Sequence, residues 1–279
     1  MKTGYLGPVG TFSQQAALYF AKKEETHPFS SITDVLKAVE EGLVEQGVVP
    51  LENSIEGTVN ATMDGLIFDS KLFIHAELPL PVTHCLMVRH ENLGKNITRI
   101  LSHPQALGQC RKYLESNYRD IETVAVSSTA EAARLAAQTS ECYAAICTSL
   151  AASLYGLEII DTGIEDCKEN YTHFLLVSAK DSSQPKAGYK VTLAFATANT
   201  PGALFKTLNI FSIWDLNMTK ILSRPMKTRT EALAGEYVFY IDIEGFESPR
   251  DVEEALLIAK RKSSFFKPLG SYKVLEFKS

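Results

Sequence analysis

The chain has 279 residues, of which 45% are hydrophobic and 22% are charged, a balance typical of globular proteins. This length predicts about two domains of ordinary size. The formal net charge of −5, with no concentrated stripe of Lys and Arg, argues against a nucleic-acid-binding protein. A small anionic substrate remains compatible with this charge, because helix N-termini bind anions locally.

The five cysteines are scattered along the chain and form no Cys-x-x-Cys pair. We interpret them as small apolar residues of a reduced protein, and expect neither a zinc site nor a disulfide frame. The first residues run directly into a predicted strand, without a signal segment, and no apolar stretch approaches the length of a membrane span. The sequence therefore predicts a soluble, cytoplasmic protein without a metal.

The first predicted strand, at residues 3–6, ends in a Gly-Pro-Val-Gly turn at 7–10. Thr11 or Ser13 then starts a helix whose apolar residues recur at helical spacing. Unpaired N–H groups and the positive end of the helix dipole make such a turn a binding place for an anion. The alternative is an ordinary N-cap, which contributes about 1 kcal/mol to stability and has no further function.

Polar side chains follow two more predicted strands. Strand 46–51 is followed by Asn53 and Ser54, and strand 100–102 is followed by a helix start that contains Gln105. In open α/β sheets, ligands bind beyond the carboxyl ends of strands, so we interpret these side chains as binding residues. The alternative is a local role, as an Asx-type turn or as a helix cap.

Strands alternate with helices throughout residues 1–178, which predicts mainly parallel sheets with right-handed crossovers. Extended, proline-interrupted chain near 77–83 and a second crossing at 160–172 predict two lobes with a cleft between them. The first lobe would contain residues 1–78 and 158–180, and the second lobe would contain residues 79–157.

The second crossing leads into Thr172, His173 and Phe174, just before an apolar run that is typical of a buried strand. Because neighbouring residues on a strand face opposite ways, Thr172 and Phe174 are expected on one face and His173 on the other. An ordinary strand start made of β-forming residues is the simpler interpretation of these residues alone. The side chains expected to line the cleft between the lobes are Thr11, Asn53, Gln105 and Thr172.

Residues 179–189 are rich in Ser, Pro, Gly and Lys and are predicted to form a linker. Beyond this linker, the predicted elements follow in the order βαββαβ, which indicates a ferredoxin-like module. Its first helix begins after the loop at 199–204. A merely structural Pro-Gly helix start is the simpler interpretation of that loop.

Together, the motifs resemble those of prephenate dehydratases that carry a C-terminal ACT regulatory domain, and the match covers essentially the whole chain. The motifs of the first domain are GYLGPVGTFS at 4–13, PLENSIEG at 50–57, HPQA at 103–106 with Gln109 and Cys110, and Asn170 with Thr172 and Phe174. Those of the second domain are PGAL at 201–204, NMTKI at 217–221 and SRP at 223–225. Each motif alone is a weak signal, but all of them in this order are a strong one.

The resemblance implies an α/β fold with a bilobal catalytic domain over residues 1–180, like the type II periplasmic binding proteins, and a ferredoxin-like βαββαβ ACT domain over residues 189–279. It implies decarboxylating dehydration of prephenate to phenylpyruvate, carbon dioxide and water in phenylalanine biosynthesis, with no cofactor. It also implies feedback inhibition by L-phenylalanine at the ACT domains of a homodimer or homotetramer.

Residue roles also follow from the resemblance. Thr172 would donate to the departing hydroxyl oxygen and Phe174 would form an apolar wall, whereas His173 would either assist in the cleft or pack into the lobe. The residues expected to bind the substrate are Thr11, Ser13, Asn53, Ser54 and Gln105. The residues expected to bind L-phenylalanine are Asn199, Pro201, Gly202, Ala203, Leu204, Leu216, Asn217 and Met218, with Asn217 contributed by the adjacent subunit.

The chain departs from the family pattern at two positions. His173 stands where the family usually has Arg, which replaces a fixed cation with a group that titrates near neutrality. Leu222 stands where the family usually has Glu. Two alternatives remain open, an arogenate dehydratase and a non-catalytic amino-acid-sensing protein built on the same fold.

Overall fold

The structure, a computed structural model, describes residues 1–226 and 236–277, and its strands form one sheet of ten strands and one of five. The strands are β1 Thr3–Leu6, β2 Thr26–Phe29, β3 Gln46–Asn53, β4 Gly57–Thr58, β5 Phe73–Pro81, β6 Cys85–Arg89, β7 Arg99–Ser102, β8 Glu122–Ala125, β9 Tyr143–Cys147, β10 Leu157–Thr162, β11 Tyr171–Ser178, β12 Lys190–Ala196, β13 Asn217–Pro225, β14 Tyr237–Glu244 and β15 Phe265–Val274. The helices are α1 Phe12–Phe20, α2 Ile32–Glu40, α3 Asn60–Asp64, α4 Pro104–Gln109, α5 Arg111–Asn117, α6 Thr129–Gln138, α7 Ser149–Tyr155, α8 Ala203–Ile213 and α9 Pro249–Lys262. No helix in the described parts of the chain is both long enough and apolar enough to cross a bilayer.

The helices begin where the sequence provides capping side chains. The hydroxyls of Thr11, Ser31 and Ser128 each accept a hydrogen bond from the backbone N–H three residues further on. Each bond satisfies one of the N–H groups that a helix start leaves unpaired. Pro104 occupies the first turn of α4, where a missing N–H costs nothing.

The first lobe contains the strand order β5-β11-β3-β1-β2, in which β1 lies parallel to both β2 and β3. Strand β11 lies between β3 and β5 and is antiparallel to both. Helices α2 and α3 cover one face of this sheet, and α1 covers the other. The lobe therefore combines the start of the chain with a strand that returns more than 80 residues after β5.

The second lobe contains the strand order β10-β6-β9-β7-β8. Strand β7 is parallel to β8 and β9, whereas β6 is antiparallel to β9 and β10. The alanine-rich helices α6 and α7 pack on one face of the sheet, and α4 and α5 pack on the other. Small side chains on α6 and α7 bring these helices close to the sheet.

The lobes differ from the sequence-based expectation in two ways. Their sheets are mixed and not mainly parallel, because β5 and β6 carry the chain from the first lobe to the second while β10 and β11 carry it back. Strands that leave a lobe run opposite to those that re-enter it. Strand β10 pairs with β6, so residues 158–162 lie in the second lobe, and the chain rejoins the first sheet only at β11.

The C-terminal module has the βαββαβ order and the ferredoxin-like arrangement that the sequence predicts. Its strands follow the order β13-β14-β12-β15, and all neighbours in it are antiparallel. Helices α8 and α9 cover one face of this sheet. The predicted fold class, a bilobal α/β domain followed by a ferredoxin-like domain, is confirmed.

The C-terminal sheet continues the sheet of the first lobe. Strand β15 pairs in parallel with β5, with Lys273 opposite Ala76 and Val274 opposite Glu77. The face of the C-terminal sheet that α8 and α9 leave open shares a hydrophobic core with α2 and α3, to which Tyr240 contributes a fully buried ring. The two domains are therefore joined by backbone pairing and by apolar packing.

Gly270 permits the close approach of β15 to β5. A Cβ atom at this position would lie well inside van der Waals contact with the carbonyl oxygen of Ile74, and this backbone cannot move aside as a flexible side chain could. We expect Gly270→Ala to lower the free energy of unfolding by about 1–3 kcal/mol, which is the usual cost of overpacking. Chemical denaturation followed by circular dichroism measures this change.

Gly108→Ala is the matched control, because a Cβ at Gly108 meets no atom within 4 Å. That variant should be as stable as the wild type or more stable by up to about 1 kcal/mol, since Ala favours a helix over Gly. Equal stabilities of the two variants would contradict a close approach at Gly270.

Candidate active site

A cavity of about 450 Å³ lies between the two lobes. The first lobe contributes the turn between β1 and α1, the end of β3 and the start of β11, and the second lobe contributes the starts of α4 and α6. This volume is in the usual range for a small-molecule site. Six of the residues expected in the catalytic site line this cavity: Thr11, Ser13, Asn53, Gln105, Thr172 and Phe174.

The side-chain amide of Asn53 is fixed in one orientation. Its Oδ1 accepts hydrogen bonds from the backbone N–H groups of Ile55 (3.0 Å) and Glu56 (3.1 Å), so Nδ2 must be the opposite atom of the amide. Nδ2 lies 2.8 Å from Oδ1 of Asn170 and 3.0 Å from Oγ1 of Thr172. Asn53 therefore forms the predicted Asx-type turn and also lines the cavity.

The hydroxyl of Thr172 receives a hydrogen bond from Asn53 and lines the cavity. Because Asn53 supplies the proton in this bond, the proton of the Thr172 hydroxyl is available to a second acceptor. Among the described residues, no acceptor takes that proton. The geometry therefore presents an O–H donor to the cavity.

Phe174 forms an apolar wall of the cavity on the same face as Thr172. Its side chain is 1% exposed and packs in a cluster with Tyr5, Leu78 and Leu80. Strand alternation places Thr172 and Phe174 together, as expected from the sequence.

Helix N-termini face the cavity from both lobes, among them those of α1 and α6. Thr11 caps α1 and donates its hydroxyl proton to the carbonyl of Pro8 (3.0 Å), while Ser128 caps α6 and accepts from Glu131 N (3.0 Å). In a helix, the first backbone N–H groups have no intrahelical partner, and the dipole gives that end a partial positive charge. The cavity therefore has anion-binding groups on both sides.

The described residues that line the cavity include no Lys or Arg, and its titratable side chains are Glu56, His84 and His103. His84 is 2% exposed and its Nε2 lies 3.0 Å from Oε1 of Gln109. Burial lowers the pKa of His84, although the hydrogen bond to Gln109 and the charge of Glu165 act in the opposite direction. Among the described lining residues, the groups able to attract an anion are therefore mainly backbone N–H groups at the helix starts.

Sequence reasoning did not assign His84 or Gln109 to the site. Gln109 stands in a motif that carried the family resemblance, so the signal was present for that residue. His84 is a single polar residue in the segment between β5 and β6, and nothing in its spacing distinguishes it. His84 Nδ1 and Gln109 Nε2 are both buried, and neither has a hydrogen-bond partner among the described residues.

Ser54 lies outside the cavity, unlike the other residues expected to bind the substrate. Its hydroxyl donates to the carbonyl of Tyr171 (3.1 Å) and accepts from the N–H of the same residue (3.2 Å). Both of its hydrogen-bonding functions are thus used to hold the start of β11 beside the end of β3.

His173 points away from the cavity, toward the C-terminal domain. Its Nδ1 lies 2.6 Å from Oε1 of Glu77, and Oε2 of the same carboxylate accepts from Nζ of Lys190 at 2.8 Å. Burial would raise the pKa of Glu77, but the hydrogen bond from His173 and the charge of Lys190 lower it to about 2. Of the two orientations that the sequence left open for His173, the structure shows the one that faces away from the cleft.

Lys190 also approaches two acidic residues of its own domain. Its Nζ lies 3.0 Å from Oε1 of Glu244 and 3.8 Å from Oδ2 of Asp242. Asp242 is almost fully buried and accepts a hydrogen bond from Thr192 at 2.6 Å. Burial raises the pKa of Asp242 to about 6 despite these favourable contacts.

The C-terminal domain has its own cavity, of about 160 Å³, at the start of α8. Asn199, Ala203 and Leu204 line it, and Pro201 and Gly202 form the turn that leads into α8. The other three residues expected to bind L-phenylalanine, Leu216, Asn217 and Met218, do not line this cavity. Leu216 and Met218 pack in the core of the domain, and Asn217 is exposed at the start of β13.

Comparison with known proteins shows a consistent set of relatives. The model of the family described as prephenate dehydratase matches residues 3–182. The bifunctional chorismate mutase/prephenate dehydratase of Aquifex aeolicus is 39% identical, over 98% of this chain and 73% of that protein. The prephenate dehydratase of Methanocaldococcus jannaschii is 38% identical, over 98% of both chains.

Two solved structures resemble the whole chain. The crystal structure of prephenate dehydratase from Arthrobacter aurescens in complex with L-Phe has a TM-score of 0.85 and 32% identity, and covers 98% of this chain and 90% of that one. GqqA, described as a novel type of quorum quenching acylase, has a TM-score of 0.84 and 29% identity, and covers 98% of both chains.

The buried carboxylate of Asp242 predicts how stability depends on pH. Its folded pKa of about 6 lies above the ordinary value of 3.8, so the folded protein takes up this proton more readily than the unfolded chain. The contribution of Asp242 to stability is therefore least favourable above pH 6 and improves as the pH falls toward 4. Two pKa units correspond to about 3 kcal/mol.

The measurement is urea denaturation of the wild type and of Asp242→Asn at several pH values. The free energy of unfolding of the variant minus that of the wild type should increase by about 2 kcal/mol between pH 4 and pH 7, since pH 4 already lies slightly above the ordinary pKa of 3.8. Parallel curves for the two proteins would show that Asp242 does not titrate in this range.

Proposed function

The chain belongs to the prephenate dehydratase family, and on that premise we propose that it converts prephenate to phenylpyruvate with loss of carbon dioxide and water. The observation that carries the proposal is the hydrogen bond from Asn53 to Thr172, which leaves the hydroxyl proton of Thr172 free at a cavity with helix N-termini on both sides. These are the groups that the reaction requires.

The reaction breaks two bonds of the prephenate ring. The electron pair of the bond to the ring carboxylate moves into the ring as carbon dioxide leaves, and the bond to the ring hydroxyl breaks with its electron pair on oxygen. Thr172 donates a hydrogen bond to that oxygen, and one proton from solvent, passed through the hydroxyl, completes the water that leaves. The ring becomes aromatic, so most of the driving force lies in the substrate.

The two carboxylates of prephenate are held by dipoles and not by side-chain cations. The backbone N–H groups at the starts of α1 and α6 bind them from opposite lobes. A carboxylate held by amides beside the apolar ring of Phe174 loses part of its hydration, and this loss favours decarboxylation. A Lys or Arg paired with the ring carboxylate would instead stabilise the ground state.

Arogenate is the alternative substrate, since it differs from prephenate only in the side chain that carries the second carboxylate. The ratio of kcat/KM for the two substrates decides between them. A non-catalytic binding protein is the other alternative, and the free donor of Thr172 argues against it.

The similarity to GqqA raises amide hydrolysis as a further activity, and the site does not support it. A serine nucleophile needs a base within hydrogen-bond distance. Ser13, Ser127 and Ser128 line the cavity, but among the described residues no imidazole bonds to any of them. The hydrogen bond between Ser178 and His75 (2.9 Å) lies outside the cavity.

L-phenylalanine is proposed as an inhibitor that binds at the start of α8 in the C-terminal domain. The N–H groups of this helix start suit its carboxylate. Glu236 lines the same cavity, and its Oε2 is buried without a hydrogen-bond partner among the described residues, so it suits the ammonium group. Asn217 would complete this site from a neighbouring subunit of a cytoplasmic homodimer or homotetramer.

Thr172→Val tests the catalytic role, because it replaces the hydroxyl with a methyl group of similar size. We expect kcat on prephenate to fall by about 10²–10⁴-fold, the usual contribution of a positioned proton donor, with little change in KM. Thr172→Ser keeps the hydroxyl and should retain most of the activity. The assay follows phenylpyruvate by its absorbance in base, and wild-type turnover in Thr172→Val would remove the residue from the mechanism.

Thermal unfolding with L-phenylalanine tests the second site. A ligand at 100 times its Kd that binds only the folded state adds about 2.7 kcal/mol of stability, which raises Tm by roughly 5–10 °C at this size. Glu236→Gln should reduce this shift, because it removes the charge opposite the ammonium group. A Tm that L-phenylalanine leaves unchanged in the wild type would show that this cavity does not bind it.

A further inference from the structure

The two catalytic strands present charged side chains on the face opposite the cavity. Asn53 and Thr172 line the cavity, and their neighbours along the chain, Glu52 and His173, point the other way. Glu52 and His173 are also direct partners across the β3–β11 pair. The back of the catalytic site is therefore a small charged surface on two adjacent strands.

Two lysines of the C-terminal domain bind this surface. Nζ of Lys220, on β13, forms an ion pair with Oε2 of Glu52. Nζ of Lys190, on β12, binds Glu77, whose other carboxylate oxygen binds His173. Lys220 thus binds directly to Glu52, the neighbour of Asn53 along the chain. Lys190 is linked through the carboxylate of Glu77 to His173, the neighbour of Thr172.

The ion pairs that Lys190 and Lys220 form are buried enough to couple the positions of the strands that they join. The side chains of Glu77 and Lys190 are 4% and 10% exposed, and those of Glu52 and Lys220 are 30% and 23% exposed. Partly buried ion pairs are weakly screened by salt, and breaking one by removing a single partner leaves an uncompensated charge. A shift of β12 or β13 would therefore displace β3 and β11, because breaking the ion pairs instead would leave uncompensated charges.

Lys220 also lies close in sequence to the proposed effector site. It follows Asn217 by three residues on β13, the strand that the proposed function assigns to L-phenylalanine binding in a neighbouring subunit. The proposed contact of Asn217 with L-phenylalanine and the ion pair of Lys220 with Glu52 thus both depend on strand β13.

A third contact between the domains provides the comparison. Arg224 lies on β13 as well, four residues beyond Lys220, and forms two hydrogen bonds to the carboxylate of Asp64 at 2.8 and 2.9 Å. Asp64 is the last residue of α3, and neither Asp64 nor its two neighbours along the chain line the cavity. The partner carboxylate of Arg224 therefore lies on a helix and on neither of the catalytic strands β3 and β11.

We propose that Lys220 and Lys190 are positioning residues, through which the C-terminal domain sets the positions of Asn53 and Thr172 and so transmits the effect of L-phenylalanine. The proposal rests on the proposed function, because it needs both prephenate turnover and an effector. Lys220 acts through Glu52, and Lys190 acts through Glu77 and His173. Arg224 has only an attaching role.

The test compares the full-length wild type with Lys220→Met, Lys190→Met and Arg224→Met. For each protein, calorimetry gives the Kd for L-phenylalanine, and phenylpyruvate production gives kcat and KM with and without saturating L-phenylalanine. We expect Lys220→Met and Lys190→Met to bind L-phenylalanine within about threefold of the wild-type Kd, while inhibition falls by about tenfold or more, which is within the usual range of allosteric coupling. Arg224→Met should be inhibited like the wild type.

Two further variants separate positioning from loss of folding. Lys220→Arg keeps the charge and should restore inhibition, and thermal unfolding verifies that every variant is folded. The double variant Glu52→Gln with Lys220→Met should be no less inhibited than Lys220→Met alone, because both changes remove the same contact. A merely structural contact would change Tm and leave inhibition intact.

Lys220→Met and Lys190→Met proteins that fold, bind L-phenylalanine and are inhibited like the wild type would overturn the proposal. Equal loss of inhibition in Arg224→Met would also overturn it, since any contact between the domains would then suffice. Failure of the proposed function gives a different result, because the wild type itself would then produce no phenylpyruvate or would not bind L-phenylalanine.

Discussion

The structure depends on β11, a strand that is paired along both of its edges. Backbone hydrogen bonds to β3 and β5 fix its register, so its side chains can only alternate between two faces. One face places Thr172 and Phe174 in the cavity, and the other places His173 against Glu77. The proposed catalytic residue Thr172 therefore directly precedes His173, whose partner Glu77 binds Lys190 of the C-terminal domain, and a shift of β11 would move both residues together.

The electrostatics follow from the same division. The face toward the cavity has no lining Lys or Arg among the described residues, and in the proposed function the backbone dipoles at α1 and α6 attract the dianionic substrate. The fixed cations, Lys190 and Lys220, lie on the opposite face, where each has a carboxylate partner. Because these two cations are already paired with carboxylates of the protein, they are not available to bind the carboxylates of the substrate.

Much of this could be predicted from the sequence, because it depends on local patterns. Hydrophobic periodicity and capping residues located the helices, and strand alternation placed Thr172, Phe174 and His173 on the correct faces. The mixed sheets, the pairing of β15 with β5, and the places of His84 and Ser54 could not be predicted. They depend on contacts between residues far apart in the chain, and no local pattern encodes which distant strand will be the neighbour.

The order of the strands also has a consequence for synthesis on the ribosome. The second lobe is one continuous stretch, from β6 to β10, and its sheet is complete once residue 162 has emerged. The first lobe begins earlier but lacks β11 until residue 178, and the edge of β5 stays open until residues 265–274 form β15. The sheet of the second lobe can therefore form completely before that of the first lobe. Until β15 is synthesised, the unpaired edge of β5 is exposed to other chains.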